Sequence, residues 1–111
     1  MVKVMIFLSR RPGLSAEAFE EHLRATHLPL VTQMPGLRRL VINRVRPDLS
    51  GAPPAWDAIA EDWFASLEAM QGALESPQGQ AVNADGATFL DLSKLQVLVM
   101  QEDEVPLPVE G

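Results

Sequence analysis

Two histidines and a cluster of carboxylates are the side chains of this chain that could move a proton. His27 stands in LRATHLPLV, with His22 five residues before it. Imidazole titrates near neutrality, so a partly buried histidine can give or take a proton under physiological conditions. The segment WDAIAEDWF carries Asp57, Glu61 and Asp62 among apolar neighbours. A carboxylate in an enclosed place either pairs with a cation or rises in pKa until it can serve as a general acid or base. There is no cysteine, which excludes disulfides and thiol nucleophiles, and no tyrosine to supply a phenol.

The position of His27 depends on the helix that carries it. Ser15 is placed to cap a helix, and Glu17 in its first turn complements the helix dipole. Phe19, Leu23 and Leu30 recur at helical spacing and define a buried stripe. Advancing about 100° per residue from Phe19, His27 falls near 80°, at the edge of that stripe. His22 falls on the flank, among Glu20, Glu21 and Arg24, where a surface role is expected. On a regular helix the two histidines diverge by about 140°, so they are not expected to share an ion. Pro29 has no N–H to give residue 25 and should end or kink the helix near Leu28. A short helical turn should follow to Met34, where Pro35 and Gly36 stop it. His27 is then either a core-edge residue bonded to a carbonyl or an acid/base group facing a cavity.

The third strand, WDAIAEDWFA, alternates its side chains between two faces. Asp57, Ile59, Glu61 and Trp63 share one face; Ala58, Ala60, Asp62 and Phe64 share the other. At least one carboxylate therefore points into a partly enclosed place, either paired with Lys3 or Arg44 or raised in pKa. The small Ala58 and Ala60 leave room beside Asp62, which is how a pocket looks in sequence. Trp56 and Trp63 read first as packing.

With 111 residues, 47% of them apolar, the chain forms one domain. A net charge of −6 argues against a nucleic-acid partner, and Arg38, Arg39, Arg44 and Arg46 read as a solvated strand face. No apolar run is long enough to span a bilayer, and the opening MVKVMIFLSRR lacks a cleavage site, so a cytoplasmic location is expected.

Strands are expected at 2–9, 37–45, 56–65 and 95–100. Ser66 caps a helix, and Ser76-Pro77 starts another that fades at Asp85-Gly86 before Phe89 and Leu90 tuck into the core. RPDLSGAPPA is a loop, and the acidic tail 103–111 should fray or drape over a neighbour, leaving 1–102 as the domain. The order β-α-β-β-α-β is that of an α+β, ferredoxin-like protomer: a four-stranded antiparallel sheet with helices on one face. The first and last strands are apolar on both faces, so the uncovered face should meet a second copy in a homodimer.

RRPGLS, the H-x-P of THLP, MPGL, AE-x-WF and SP-x-G together resemble the EthD-like family, of the dimeric α+β barrel superfamily, over roughly residues 3–102. The resemblance implies two sheets closing into an α+β barrel, with a small-molecule cavity between sheet and helices of each protomer. It places the family's helix-end histidine on His27 and the third-strand signature on Glu61, Trp63 and Phe64, with Asp62 at a variable position. Many relatives carry tyrosine where this chain has Leu40. Residue reading and resemblance together give a candidate site of His27, Asp62 and Glu61 for proton transfer, with Trp63, Phe64, Leu40 and Arg39 around the ligand. No metal, flavin or other cofactor is expected, although some branches of similar barrels are haem enzymes, which leaves haem on His27 as a third reading. The associated function is oxidoreductase-related: proton transfer or oxygenation on an apolar cyclic, aromatic or carbonyl metabolite during catabolism of organic compounds. The alternative is a non-catalytic binding protein serving a partner oxygenase.

Overall fold

The structure, a computed structural model, describes residues 1–109. Its elements are β1 (Val2–Leu8), α1 (Ala16–His22), a π-helical turn (Leu23–His27), α2 (Leu28–Val31), β2 (Leu37–Arg44), β3 (Ala58–Phe64), α3 (Leu67–Glu75), α4 (Pro77–Phe89) and β4 (Gln96–Met100). The sheet is antiparallel with order β2-β3-β1-β4. This is the expected ferredoxin-like topology. The acidic tail runs exposed and without secondary structure to Val109; its last two residues lie outside the described residues.

Alternation along the strands divides the sheet into two unlike faces. The inner face, beneath the helices, carries Val4, Ile6 and Leu8 of β1 and Ala58, Ala60, Asp62 and Phe64 of β3. Phe19, Leu23, Phe89 and Leu90 pack over Leu8 and Ala58 at one end. Val31, Met34 and Ala73 pack over Val4 and Phe64 at the other. Ile6 touches both clusters. Ala60 lies between them, too short to fill the space above it, so the core divides around a hollow.

The helices start as the sequence indicates: Ser15, Ser66 and Ser76 each accept a hydrogen bond at 3.1 Å from the backbone N–H three residues on. Ser76 caps α4, with Pro77 in its first turn. Gly79 lets α4 leave α3 so sharply, because a Cβ there would come within 2.6 Å of the carbonyl oxygens of Ala73 and Leu74. Ser76→Ala should cost about 1 kcal/mol and lower Tm by roughly 4–8 °C in thermal circular dichroism. An unchanged Tm would show that the cap does not hold α4.

Regular α-helix gives way before Pro29, as expected, and a short helical turn follows to Val31. The irregularity takes the form of a π-turn, in which the Leu28 N–H bonds the Leu23 carbonyl five residues back. One feature departs from the expected helices: α4 does not fade at Asp85 but runs to Phe89.

Candidate active site

His27 enters the hollow from the π-turn and is 6% exposed. A turn closed by i→i+5 bonds brings residues five apart toward one face. This overturns the expected divergence of the two histidines. His27 Nδ1 lies 2.8 Å from Asp85 Oδ2, and His22 Nε2 lies 3.0 Å from both Asp85 oxygens. The Phe89 ring packs beside both imidazoles, at 4.3 Å from His22 and 5.0 Å from His27. His22, expected at the surface, thus belongs to a three-residue cluster tying α1 and the π-turn to α4.

Facing a carboxylate, Nδ1 of His27 donates its proton, which leaves the lone pair on Nε2. Burial pushes the imidazole below its ordinary pKa of 6.5; the hydrogen bond to Asp85 opposes that shift without cancelling it. His27 is therefore neutral at pH 7 and ready to accept a proton.

Asp62 reaches the same hollow from β3. It is 3% exposed, and its Oδ1 has no hydrogen-bond partner. Its cross-strand neighbours are Val4 on β1 and Leu40 on β2, neither able to pair with it. Burial raises its pKa from 3.8 to about 6.

The cavity has a volume of about 280 Å³. Its floor includes Val4, Ile6, Ala60, Phe64 and Leu40, and its helical cover includes His27, Leu28, Val31, Val82 and Gly86. Leu92, Leu95 and Val97 continue it toward β4. Its polar lining is His27, Asp62 and Asn83, with neither Lys nor Arg among the described lining residues.

The other sequence candidates stand on the outer face, because odd-numbered positions of β3 point away from the helices. Glu61 pairs with Lys3 at 2.9 Å and accepts from Asn43 Nδ2 at 2.9 Å. The Asn43 hydrogen bond, and then Lys3, hold its carboxyl below the usual range. Trp63 lies under the Arg39 guanidinium at 4.5 Å and the Lys3 ammonium at 5.1 Å, in cation–π contact. The structure therefore brings His27, Asp62, Phe64 and Leu40 together and leaves Glu61, Trp63 and Arg39 behind the sheet.

Asp85 was not among the sequence candidates. It lies one turn before Phe89, so any helix that buries Phe89 carries Asp85 on the same side. That spacing was the available signal, and treating Asp85-Gly86 as a helix end concealed it.

Fold and site together define an α+β ferredoxin-like protein with a mostly apolar cavity under its helices and two titratable side chains, His27 and Asp62, in the lining. The EthD domain model matches residues 11–93, and the chain belongs to the EthD family. It is 35% identical over 91 residues, 82% of this chain and 85% of the other, to the uncharacterized 11.0 kDa protein in the thcB-thcC intergenic region of Rhodococcus erythropolis. An ethyl tert-butyl ether D (EthD) family protein from Bacillus halodurans C-125 is similar at 27% identity and a TM-score of 0.80. That match covers 93% of this chain and 100% of the other. SnoaB from Streptomyces nogalater, a cofactor-independent oxygenase crystallised as a point mutant, shares the fold at 13% identity. Its TM-score is 0.68, with 94% of each chain covered.

Proposed function

We propose that the cavity receives a small, mostly apolar cyclic, aromatic or carbonyl metabolite and that His27 acts on it by cofactor-free proton transfer, in the catabolism of organic compounds. The observation that carries this reading is a neutral imidazole, oriented by a carboxylate through Nδ1, in the wall of an apolar cavity. Nε2 accepts a proton from a carbon beside a carbonyl, and Asp85 stabilises the imidazolium that forms. Asp62, in its protonated form, donates a hydrogen bond to the carbonyl oxygen as charge develops on it. The carbanion then takes its proton back at another carbon, expels a leaving group, or meets dioxygen. The last course is compatible with the cofactor-independent oxygenase description of SnoaB, which shares the fold.

The test uses 1-tetralone, a cyclic aromatic ketone with hydrogens beside its carbonyl. Incubated with the protein in D2O at pH 7, it should gain deuterium at that carbon faster than in buffer, as read by mass spectrometry. Binding with no gain above buffer would contradict catalysis. It would favour the second reading, a non-catalytic carrier serving an oxygenase, which the overwhelmingly apolar lining also suits.

The functional unit in this proposal is a homodimer in the cytoplasm, built outer face to outer face. Met5, Phe7, Val41 and Ile59 lie on that face by strand register, along with Leu98 and Met100, which are 44% and 38% exposed. No described helix covers them, and burying such a patch in a partner is the usual resolution. Light scattering should give twice the chain mass, and Leu98→Glu should give the single-chain mass. A native monomer at micromolar concentration would contradict this arrangement. Among the described residues, no helix is long and apolar enough to cross a membrane.

A further inference from the structure

The unpaired carboxyl of Asp62 narrows the class of molecule the cavity can take, an inference that rests on the cavity being a ligand site. We infer that Asp62, in its protonated form, is the ligand-recognition group: it donates a hydrogen bond to an oxygen of an uncharged, otherwise apolar molecule such as a ketone, quinone or lactone. By the same arrangement the cavity rejects carboxylates.

Three observations support this. First, Asp62 Oδ1 is buried with no partner, and the side chains beside it on the inner face (Val4, Leu40, Ala60, Phe64) offer none. A buried polar atom left in this way is costly unless something that enters the cavity satisfies it. Second, His27 is the other titratable group among the described lining residues, and its Nδ1 is engaged by Asp85. Among the described residues that line the cavity there is no Lys or Arg to neutralise an anionic ligand, and Arg44, on the same face of β2, is paired with Glu20 outside the lining. Lys3 and Arg39 are behind the sheet, on Glu61 and Trp63. Third, a ligand that fills the cavity expels the remaining water from around Asp62, which disfavours the ionised carboxyl further. A carbonyl oxygen rewards only the protonated form, since a carboxylate has no hydrogen to give.

Uptake of a neutral carbonyl compound is therefore coupled to uptake of a proton. The carboxyl of the empty cavity titrates at about 6, so the binding-competent fraction falls as pH rises through that value. An amine ligand would behave oppositely, pairing with the ionised carboxyl and binding more tightly toward higher pH.

The experiment is calorimetric titration of the intact protein with three molecules of one shape: 1-tetralone, the hydrocarbon tetralin, and 1,2,3,4-tetrahydro-1-naphthoate. Measurements are made at pH 5.5 and pH 8, in buffers of differing ionisation enthalpy. 1-Tetralone should bind at least about tenfold more tightly at pH 5.5, with net proton uptake at pH 8. Tetralin, which desolvates Asp62 but accepts no hydrogen bond, should show a smaller pH dependence than 1-tetralone, and the naphthoate should not bind at pH 8. In Asp62→Asn the amide still donates, so 1-tetralone binding should persist with no proton uptake. In Asp62→Leu, 1-tetralone should lose its advantage over tetralin. Equal, pH-independent binding of 1-tetralone and tetralin to the native protein would overturn the role of Asp62 while leaving the cavity a ligand site. Naphthoate binding as tightly as the ketone at pH 8 would overturn it as well. Failure of all three to bind at either pH would bring down the ligand site and this inference together.

Discussion

Replacing His27 with Ala should slow deuterium exchange into 1-tetralone by about 10²- to 10⁴-fold, the usual worth of a positioned acid or base. The cavity stays, so binding of the ketone should change far less than the rate. His27→Gln should be as slow, because an amide fills much of the space but cannot take up the proton. The native pH profile adds a second constraint. The active form is the neutral imidazole, which burial holds below pKa 6.5. At saturating ketone, which keeps Asp62 protonated in the complex, the rate should therefore rise with pH through a midpoint below 6.5. Asp85→Asn removes the group whose hydrogen bond raises the His27 pKa. It should move that midpoint lower still and reduce the plateau, since the imidazolium loses its carboxylate. A His27→Ala protein with native exchange rates would end the assignment.

The second large effect is on stability, with Asp62 as its source. Its folded-state pKa of about 6 lies above its ordinary value of 3.8, so folding favours the protonated carboxyl. The associated stability is fully present below pH 3.8 and is lost as pH rises through about 6. Above that range the fold holds an unpaired buried charge, at a cost of up to about 3 kcal/mol. Asp62→Asn keeps the shape and carries no charge. It should be more stable than the native protein by up to about 3 kcal/mol at pH 8, with the advantage vanishing near pH 4. Urea unfolding at the two pH values reads the difference. A variant less stable than native at pH 8 would mean that Asp62 has a partner there. Retaining a destabilising carboxyl in the core is the cost that the proposed ligand-binding role of Asp62 entails.

Much of this architecture could be read directly from the amino acids. Serines stood where three helices begin, apolar residues recurred at helical or strand spacing, and the order of elements left one natural topology. The face of β3 that meets the helices could not be read so directly. Asp57, Glu61 and Asp62 divide between both sides of an alternating strand, and each side also carries apolar residues. Neighbouring strands decide the matter: Lys3 and Asn43 stand opposite or beside Glu61 on one face, whereas Val4 and Leu40 flank Asp62 on the other.

The helical part of the site was hidden for a different reason. An arithmetic of about 100° per residue assumes an unbroken α-helix, and the π-turn at Leu23–His27 violates it at the residue that matters. Pro29 signalled an irregularity, but not that the chain would absorb it by widening one turn. The His22–Asp85–His27 cluster joins residues far apart in the chain, and only the packing of α4 on the π-turn brings them together.

The proposed chemistry rests on one ring: His27 presents an unprotonated Nε2 to the cavity while Nδ1 is held by Asp85. Long-range ¹H–¹⁵N correlation on histidine-labelled protein, followed across pH, measures tautomer and pKa together. The result expected is the Nδ1–H form at pH 7, a pKa below 6.5, and an Nε2 resonance that moves when 1-tetralone is added. A ring protonated on Nε2 at pH 7, or one that titrates above 6.5 and ignores the ketone, would contradict it.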